Sequence, residues 1–314
     1  MEHERRVMVT GAAGLIGRRV VERLLDAGRA VLATDRAAPP EPWPFEVVPA
    51  ELTDTMRLTA LMSRGVSAIL HCGGISGQML AKDHPAGIFA VNTGGTVALL
   101  ELARLFGVRR FVLCSSVHAY GDTPEGMDPV TEDAPLAARE AYGASKAAAE
   151  AALRAYALGE GVDACALRLG WVYGPRRSTP SLTARMARDA AAGRAETEVD
   201  HDGRHPVPLL HVEDAASAVL AALDAPREVR GRAFNIAGGP SLSFASIAER
   251  ISVLRPGWRA RFASGQRLDE YRQASFALEA AAEILGWRPR VPLDEGLAGY
   301  LDWLAGEAAS DGSR

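Results

Sequence analysis

Cysteine is scarce in this sequence, with three residues among 314. Cys72, Cys114 and Cys165 stand singly in apolar runs, and none belongs to a C-x-x-C or Cys/His pattern. Three single cysteines in such a pattern argue against a disulfide framework and against a structural zinc site. We therefore expect reduced thiols, no metal site and a cytoplasmic location.

Long runs of one charge sign are also missing. The 35 basic and 39 acidic residues give a formal net charge of -4. Nucleic acid or an anionic membrane would need a basic stripe, and none is present. The charged N-terminus runs into the first apolar segment without a signal-type stretch, and we find no apolar span of about 18 residues. The expected partner is a small molecule, with no nucleic acid and no membrane.

Short apolar runs alternate with Ala/Leu-rich helical patterns through the first 170 residues, which is typical of parallel strands joined by crossover helices. The pattern predicts an α/β fold, a Rossmann-type doubly wound parallel sheet with a smaller C-terminal α/β substrate lobe. The sheet domain takes residues 1–174 and 207–237, and the lobe takes 175–206 and 238–314. Trp258 and Trp287 are expected to pack the core of the lobe. Strands are predicted at 6–10, 30–34, 46–49, 68–71, 110–114, 164–169 and 233–236, and helices at 14–27, 55–64, 86–106, 144–158 and 211–223.

Glycines 11, 14 and 17 stand between the first predicted strand and helix. A tight turn, close approach of a pyrophosphate and packing of helix on strand each require a missing side chain. The helix N-terminus then offers backbone N–H groups to the phosphates. This spacing predicts a dinucleotide site.

Asp35 ends the second strand, 18 residues beyond Gly17, where a carboxylate can accept both ribose hydroxyls and repels a 2'-phosphate. NAD is the predicted cofactor. NADP is not excluded, because Arg36 could hold a 2'-phosphate; the structural alternative for this pair is an exposed turn. Asp54 either reaches the adenine or caps the following helix. The predicted cofactor contacts are Gly11, Ala13, Gly14, Leu15, Ile16, Gly17, Asp35, Arg36, Leu52, Asp54, His71, Cys72, Gly73, Tyr142 and Lys146.

Tyr142 and Lys146 are four residues apart and share a face of a helix. A free phenol has a pKa of about 10, and a neighbouring ammonium group favours the phenolate. The pair is thus suited to act as a general acid/base on a hydroxyl that is oxidised to a carbonyl. A solvated tyrosine and lysine would be the structural alternative, but the dinucleotide turn upstream favours the catalytic interpretation.

Together these residues resemble an extended short-chain dehydrogenase/reductase, the group that includes NAD-dependent epimerases and dehydratases. The resemblance covers nearly the whole chain and implies that Tyr142 is the acid/base, that Lys146 holds the nicotinamide ribose, that Ser116 binds the reacting hydroxyl and that Asn92 supports Lys146. Ser116 could instead be a turn serine and Asn92 a helix N-cap. The matching segments are 10–17, 71–74, 91–96, 115–121, 142–150, 172–176, 211–214, 234–236, 285–289 and 293–297.

Three departures from the family pattern concern the substrate. Val117 and His118 replace the Asp-Glu pair of the dehydratases, and Val207 replaces the arginine with which sugar-nucleotide epimerases grip a diphosphate. The segments 71–76 and 115–118 are similar to uronate dehydrogenases. That similarity implies substrate contacts from Ser76, Ser116 and His118, and from the Arg176-Arg177 pair, of which one arginine would bind a carboxylate in a fork.

Each of these substrate contacts has a structural alternative. His118 could be a packed histidine, and the two arginines a solvated turn. The segment 200–205 suggests a metal site, but a polar loop over the cleft fits it better.

The preferred function is an NAD-dependent dehydrogenase that oxidises a hydroxyl of a sugar or sugar acid. The alternatives are a nucleotide-sugar C4-epimerase that retains NAD and a catalytically idle NAD(P)-binding scaffold. The resemblance also implies a homodimer that pairs helices 92–106 and 144–158 across a two-fold axis.

Overall fold

The computed structural model describes residues 5–37, 43–76, 83–265 and 271–311. Strands and helices alternate along most of the chain. The strands are β1 (Arg6–Thr10), β2 (Val31–Asp35), β3 (Val48–Pro49), β4 (Val66–His71), β5 (Arg110–Ser116), β6 (Ala164–Leu169), β7 (Trp171–Tyr173), β8 (Glu196–Val199), β9 (Pro206–Val207), β10 (Leu209–His211), β11 (Ala233–Ile236), β12 (Leu242–Ser243) and β13 (Arg259–Phe262). The helices are α1 (Leu15–Asp26), α2 (Thr55–Met62), α3 (Pro85–Phe89), α4 (Gly95–Leu105), α5 (Ala141–Gly159), α6 (Leu182–Ala191), α7 (Val212–Asp224), α8 (Phe244–Leu254), α9 (Glu279–Ile284) and α10 (Leu293–Asp311).

The main sheet is parallel, with the strand order β3-β2-β1-β4-β5-β6-β11. The chain winds outward in both directions from β1 and β4, which are neighbours in register from Val7 opposite Ala68 to Thr10 opposite His71. Ligands of such sheets bind at the carboxyl ends of the strands where the order reverses. The fold therefore places its crevice at Thr10 and His71. The α/β prediction is confirmed.

Alternate side chains of the strands enter two different cores, as the pleat of a strand requires. Val7 and Val9 pack with α1 and α7 on one face, whereas Met8 packs with α2, α4 and α5 on the other. Burial on both faces explains why these strands are apolar throughout rather than alternating with polar residues. A third core, built from α6, α8, α10 and the strands beside them, belongs to the lobe.

One expectation about the lobe is wrong. Trp258 packs in the lobe core, but Trp287 packs in the core shared by α1 and α7. Its indole Nε1 donates to Asp214 O at 3.2 Å and to Ser217 Oγ at 2.8 Å, both on α7. The indole N–H needs a partner when it is buried, and α7 supplies two. The segment around Trp287 thus fastens onto the sheet domain.

The helix over residues Pro85–Leu105 contains a π-helical turn at Ala90–Gly94 between α3 and α4. It is long and apolar enough, with a mean hydropathy of 1.4, to satisfy the length and composition criteria for a membrane span, so the expectation of no such segment is wrong. The buried face of α4 packs against the sheet in the core with α2 and α5, which accounts for its apolar composition.

Candidate active site

The turn after β1 accommodates only glycine at its critical positions. Gly11 has a φ of 65°, and a Cβ there would lie 2.6 Å from the N and Cα atoms of Gly73. A Cβ on Gly17 would overlap Gly11 O. Gly14 is the N-cap of α1, and no side chain caps that end. The N–H groups of Leu15 and Ile16 begin this helix, so the turn fits a dinucleotide pyrophosphate.

Asp35 connects the end of β2 to this turn. Its Oδ2 accepts a hydrogen bond from Ala13 N at 2.9 Å, and its Oδ1 accepts one from Arg36 N at 2.7 Å. The carboxylate is thereby oriented beside the glycine turn, where a ribose would lie, while the Arg36 side chain is exposed. This placement agrees with the predicted ribose contact.

Two other predicted cofactor contacts lie along the same side of the sheet. Asp54 is the N-cap of α2 and accepts from Arg57 N at 2.9 Å, so the capping alternative holds for its side chain. Leu52 is half-buried between Gly73 and Gly95. A Cβ built on Gly73 would lie 3.2 Å from Leu52 Cδ1, and a Cβ built on Gly95 would lie 2.8 Å from Leu52 Cβ. Leu52 thus forms an apolar border of the crevice.

The His71 ring is held by the scaffold beneath the site. Its Nδ1 lies 2.7 Å from Thr10 Oγ1 and its Nε2 lies 3.1 Å from Thr96 Oγ1, so the imidazole bridges β1, β4 and α4. Burial, with a smaller contribution from Lys146, lowers the pKa of His71 to about 3. The ring is a neutral strut under the site, because both nitrogens are already engaged by the scaffold. Cys72 and Gly73 follow it along the floor of the crevice beside Gly11.

Tyr142 and Lys146 lie in the first turns of α5, which begins three residues before the predicted start at 144. The Glu140 carboxylate causes the earlier start, since it caps the helix by accepting from Tyr142 N at 2.6 Å and from Gly143 N at 2.7 Å. Lys146 is buried, and its Nζ donates to Cys114 O at 2.9 Å and lies 6.0 Å from the centroid of the Tyr142 ring. Burial lowers the pKa of Lys146. The two side chains therefore occupy one buried face of the helix.

Ser116 and Asn92 approach this pair from two sides. Ser116 ends β5, and its Oγ accepts from His118 N at 3.2 Å, the contact of a turn serine. Asn92 lies in the π-helical turn rather than at an N-cap. Its side chain accepts from Ile75 N at 2.8 Å and donates to Ser145 Oγ at 3.0 Å, which ties the loop after β4 to α5. π-Helical turns recur at functional sites because they redirect single side chains, as here.

An aromatic wall lies beside Tyr142. The His118 ring stacks on Trp171 at 5.6 Å and meets Tyr142 and Tyr271 edge-on at 5.7 and 6.0 Å between centroids. His118 Nδ1 is buried without a hydrogen bond and lies 3.8 Å from Glu140 Oε1. The ring is packed, as the structural alternative for His118 proposed, and it also borders the acid/base.

Sequence reasoning missed the residues that hold this wall. Gln273 is fully buried, donates through Nε2 to Val117 O at 3.0 Å and accepts from Trp171 Nε1 at 3.1 Å. Tyr271 accepts through its hydroxyl from the backbone N of Arg139 and, at 2.7 Å, of Glu140. Only Trp171 carried a signal, because it follows the carboxyl end of β6. The other two come from a segment about 100 residues away whose local pattern points to no function.

The two arginines from which a carboxylate ligand was predicted have different surroundings. Arg176 is exposed with a φ of 68°, and its Nη1 lies 3.8 Å from Glu22 Oε1 on α1. Arg177 is half-buried and donates to Val172 O and, through Nε at 3.2 Å, to Thr179 O. Burial lowers the pKa of Arg177, and Tyr142 is among the groups that oppose this shift. The Arg177 guanidinium is anchored at Val172 of β7, the residue after Trp171.

The other residues singled out near the substrate side are divided between the surface and the lobe. Ser76 is exposed at the end of the loop after β4. His201 and His205 lie against the Phe244 ring, at 5.5 and 6.2 Å between centroids. Val207 is fully buried, so the position of the diphosphate-binding arginine is part of the lobe core.

Comparison with known proteins decides the family. The model of the NAD dependent epimerase/dehydratase family matches residues 7–237, more than half of the chain. The chain belongs to this family. It is an extended short-chain dehydrogenase/reductase, and the predictions of an enzyme and of NAD as its cofactor are confirmed.

Individual relatives of this chain are named for different activities. A UDP-glucose 4-epimerase of Mycolicibacterium smegmatis is 30% identical over 311 residues, covering 95% of this chain and 98% of the relative. A dTDP-6-deoxy-L-talose 4-dehydrogenase (NAD(P)(+)) of Kitasatospora kifunensis is 32% identical over 313 residues, covering 92% of each chain. The structure of the Thermus thermophilus UDP-glucose 4-epimerase in complex with NAD superposes with a TM-score of 0.84 at 26% identity, covering 96% of this chain and 99% of that one.

Proposed function

We propose that this family member oxidises a secondary or anomeric hydroxyl of a sugar or sugar acid and releases reduced NAD. Its substrate would lie between Tyr142, Ser116 and the aromatic wall. The observation that carries the proposal is the burial of Val207 in the lobe core. With an apolar side chain at the diphosphate-binding position, Val207 supplies no cation, which favours a free sugar over a nucleotide sugar.

The proposed chemistry moves one proton and one hydride. Tyr142, as the phenolate, takes the hydroxyl proton onto its phenol oxygen, and Ser116 Oγ orients the same hydroxyl. Lys146 provides a positive charge beside the phenol, fixed by its bond to Cys114 O at 2.9 Å. NAD, when bound, accepts the hydride from the carbon that bears the oxygen. Asp35, the glycine turn and the N-terminus of α1 would hold the dinucleotide.

The wall would hold the sugar ring. Aromatic faces such as Trp171 pack against the apolar faces of sugars, while Arg177 supplies a cation on the same side of the site. Arg177 is the arginine we keep for a carboxylate of a sugar acid. Arg176 lies on the side of α1 and is not part of this proposal.

A nucleotide-sugar 4-epimerase is the second candidate. The 30% identical relative with that activity matches nearly the whole chain. An epimerase would run the same first step, keep the reduced cofactor and return hydride to the opposite face. The two candidates therefore differ in whether reduced cofactor leaves the enzyme.

One assay separates them. The enzyme is mixed with excess NAD and single uronates, aldonates or aldoses while the absorbance of reduced nicotinamide is followed; UDP-sugars are incubated in parallel and analysed for epimers. Growth of the band with a free sugar or sugar acid supports the dehydrogenase. A flat trace together with an epimerised UDP-sugar contradicts it and supports the second candidate.

We further propose a cytoplasmic homodimer that pairs the helices over 92–106 and 144–158. Leu105 and Leu158 are 61% and 57% exposed at neighbouring helix ends, and a second copy would cover them. In sedimentation at micromolar concentration we expect a dimer that Leu105→Glu with Leu158→Glu dissociates. Val253→Glu on α8, at a position that is 80% exposed, is the matched control and should leave the dimer intact. A monomeric wild-type protein would contradict this proposal.

A further inference from the structure

Two cysteine thiols meet at the carboxyl edge of the sheet. His71, the last residue of β4, pairs with Leu113 inside β5, so Cys72, the residue after β4, comes beside Cys114 of β5. Their Sγ atoms are 3.5 Å apart. Cys72 is half-buried and Cys114 is 6% exposed, so the pair reaches the surface through Cys72.

The pair lies where the cofactor site and the acid/base site meet. The carbonyl carbon of Cys72 would be 2.7 Å from a Cβ on Gly11, so Cys72 borders the glycine turn. The carbonyl oxygen of Cys114 accepts the hydrogen bond from Lys146 Nζ at 2.9 Å. A covalent change at either sulfur would therefore act on the floor of the NAD site and on the support of Lys146.

We propose that Cys72 and Cys114 form a reversible dithiol site that low-molecular-weight disulfides oxidise when NAD is absent. The Cys72 thiolate attacks a disulfide RSSR, which forms a Cys72–SR mixed disulfide and releases RS⁻. The Cys114 thiol then loses its proton and its sulfur attacks Cys72 Sγ, which forms the Cys72–Cys114 bond and expels the second RS⁻. Two thiols are oxidised, and RSSR is reduced to two RSH once the released protons are bound.

The strand geometry permits the bond. Neighbouring strands lie about 4.7–4.9 Å apart, within the range of about 4.4–6.8 Å between Cα atoms that disulfides span. The sulfur atoms must close from 3.5 Å to about 2.05 Å. That closure draws the ends of β4 and β5 together and displaces the Cys114 carbonyl from Lys146. The oxidised protein should therefore bind NAD more weakly, and bound NAD should shield Cys72.

The environment makes the reaction slow but selective. The hydrogen bond with Cys114, together with burial, raises the pKa of Cys72, with Lys146 opposing the shift. Because the thiolate is the reacting species, oxidation should take minutes to hours. Cys165 is fully buried in β6, so it should not react first.

The test uses purified full-length protein and glutathione disulfide, with or without NAD. Free thiols are blocked at intervals, and mass spectrometry of peptides reports a Cys72–Cys114 link. We expect the link to form in the absence of NAD and about tenfold more slowly with NAD at ten times its Kd, since only the free protein reacts. NAD titration of the linked protein should show weaker binding that dithiothreitol restores.

Three variants make the test specific. Cys165→Ser should still form the link, whereas Cys72→Ser should not. Cys114→Ser keeps the backbone carbonyl that holds Lys146 and should accumulate the Cys72–glutathione mixed disulfide. The proposal is overturned if wild-type protein stops at the mixed disulfide, if NAD leaves the rate unchanged, or if the linked protein binds NAD normally. None of these outcomes depends on which sugar the enzyme uses.

Discussion

The cofactor side and the substrate side of this crevice are built in different ways. The cofactor side is shaped by the backbone. A Cβ on Gly11 would collide with Gly73, and a Cβ on Gly17 would collide with Gly11 O. Ala13 N donates a hydrogen bond to the Asp35 carboxylate. On the substrate side, the aromatic wall consists of side chains from separate segments, with Gln273 joining Trp171 to Val117. The cofactor side therefore follows from local sequence, whereas the substrate side depends on tertiary packing. The two sides should therefore fail independently when they are mutated.

The largest effect is expected on the cofactor side. Gly11→Ala places a Cβ 2.6 Å from the backbone of Gly73, which cannot move aside cheaply. We expect the Kd for NAD to rise by more than about 100-fold, as overpacking by a few kcal/mol implies. Gly28→Ala is the matched control, because Gly28 has a φ of 68° like Gly11 but nothing within 4 Å of its Cβ position. If both variants bind NAD equally well, the backbone account of this side is wrong.

His71 makes the scaffold of the cofactor side sensitive to acid. Its pKa falls from 6.5 to about 3 on folding, so the unfolded chain binds the extra proton between these values. The stabilisation is complete above pH 6.5 and is lost as the pH falls toward 3. We expect the free energy of unfolding, measured with urea, to be about 2 kcal/mol lower at about pH 5 than at about pH 7.5 because of His71.

His71→Gln should remove this part of the change in unfolding free energy with pH, since glutamine does not titrate. His84→Gln, at an exposed position, should retain it. If the unfolding free energy of His71→Gln depended on pH as in the wild type, the acid sensitivity would come from other groups.

Gln273 tests the substrate side alone. Gln273→Leu leaves Trp171 Nε1 and Val117 O without their partner, and each unpaired buried group costs about 1–3 kcal/mol. We expect the wall to loosen, with KM for the sugar rising about tenfold and Kd for NAD changing less than about twofold. Gln273→Glu keeps the acceptor for Trp171 and should give an intermediate KM. A tenfold loss of NAD affinity in Gln273→Leu would show that the two sides are coupled.

The smallest effects concern the two arginines. Arg177→Met should raise KM for a carboxylate-bearing substrate a few-fold, because its guanidinium is held at Val172, next to Trp171 of the wall. Arg176→Met is the neighbouring control, and we expect kinetics within about twofold of wild type because its partner is Glu22 on α1. The proposal for the wall would need revision if Arg176→Met had the larger effect in steady-state assays.

The sequence predicted features that depend on local rules, as on the cofactor side, better than features that depend on tertiary packing, as on the substrate side. Alternating apolar runs predicted the parallel sheet, and the spacing of Gly11, Gly14 and Gly17 predicted the turn, because both depend on local rules. The start of α5 was predicted late, since the capping by Glu140 depends on a side-chain contact that propensity does not register. Which arginine of the Arg176-Arg177 pair lies near the wall could not be predicted, because it depends on the tertiary contacts of Arg176 with Glu22 and of Arg177 with Val172.

Other features required tertiary information. His71 follows the family motif, yet its contacts with Thr10 and Thr96 appear only when β1, β4 and α4 assemble. The same holds for the meeting of Cys72 with Cys114, which are 42 residues apart. Trp287 was assigned to the lobe by its position in the chain, whereas its indole binds α7.

The most direct test of the account is to measure turnover and NAD affinity together in Tyr142→Phe, with the substrate found in the sugar panel. Removing the phenol oxygen deletes the group that takes the proton while the glycine turn and Lys146 remain. We expect turnover to fall by about 10²–10⁴-fold and Kd for NAD to stay within about twofold of wild type. Turnover near the wild-type rate would contradict the assignment of Tyr142 as the acid/base and, with it, the proposed mechanism.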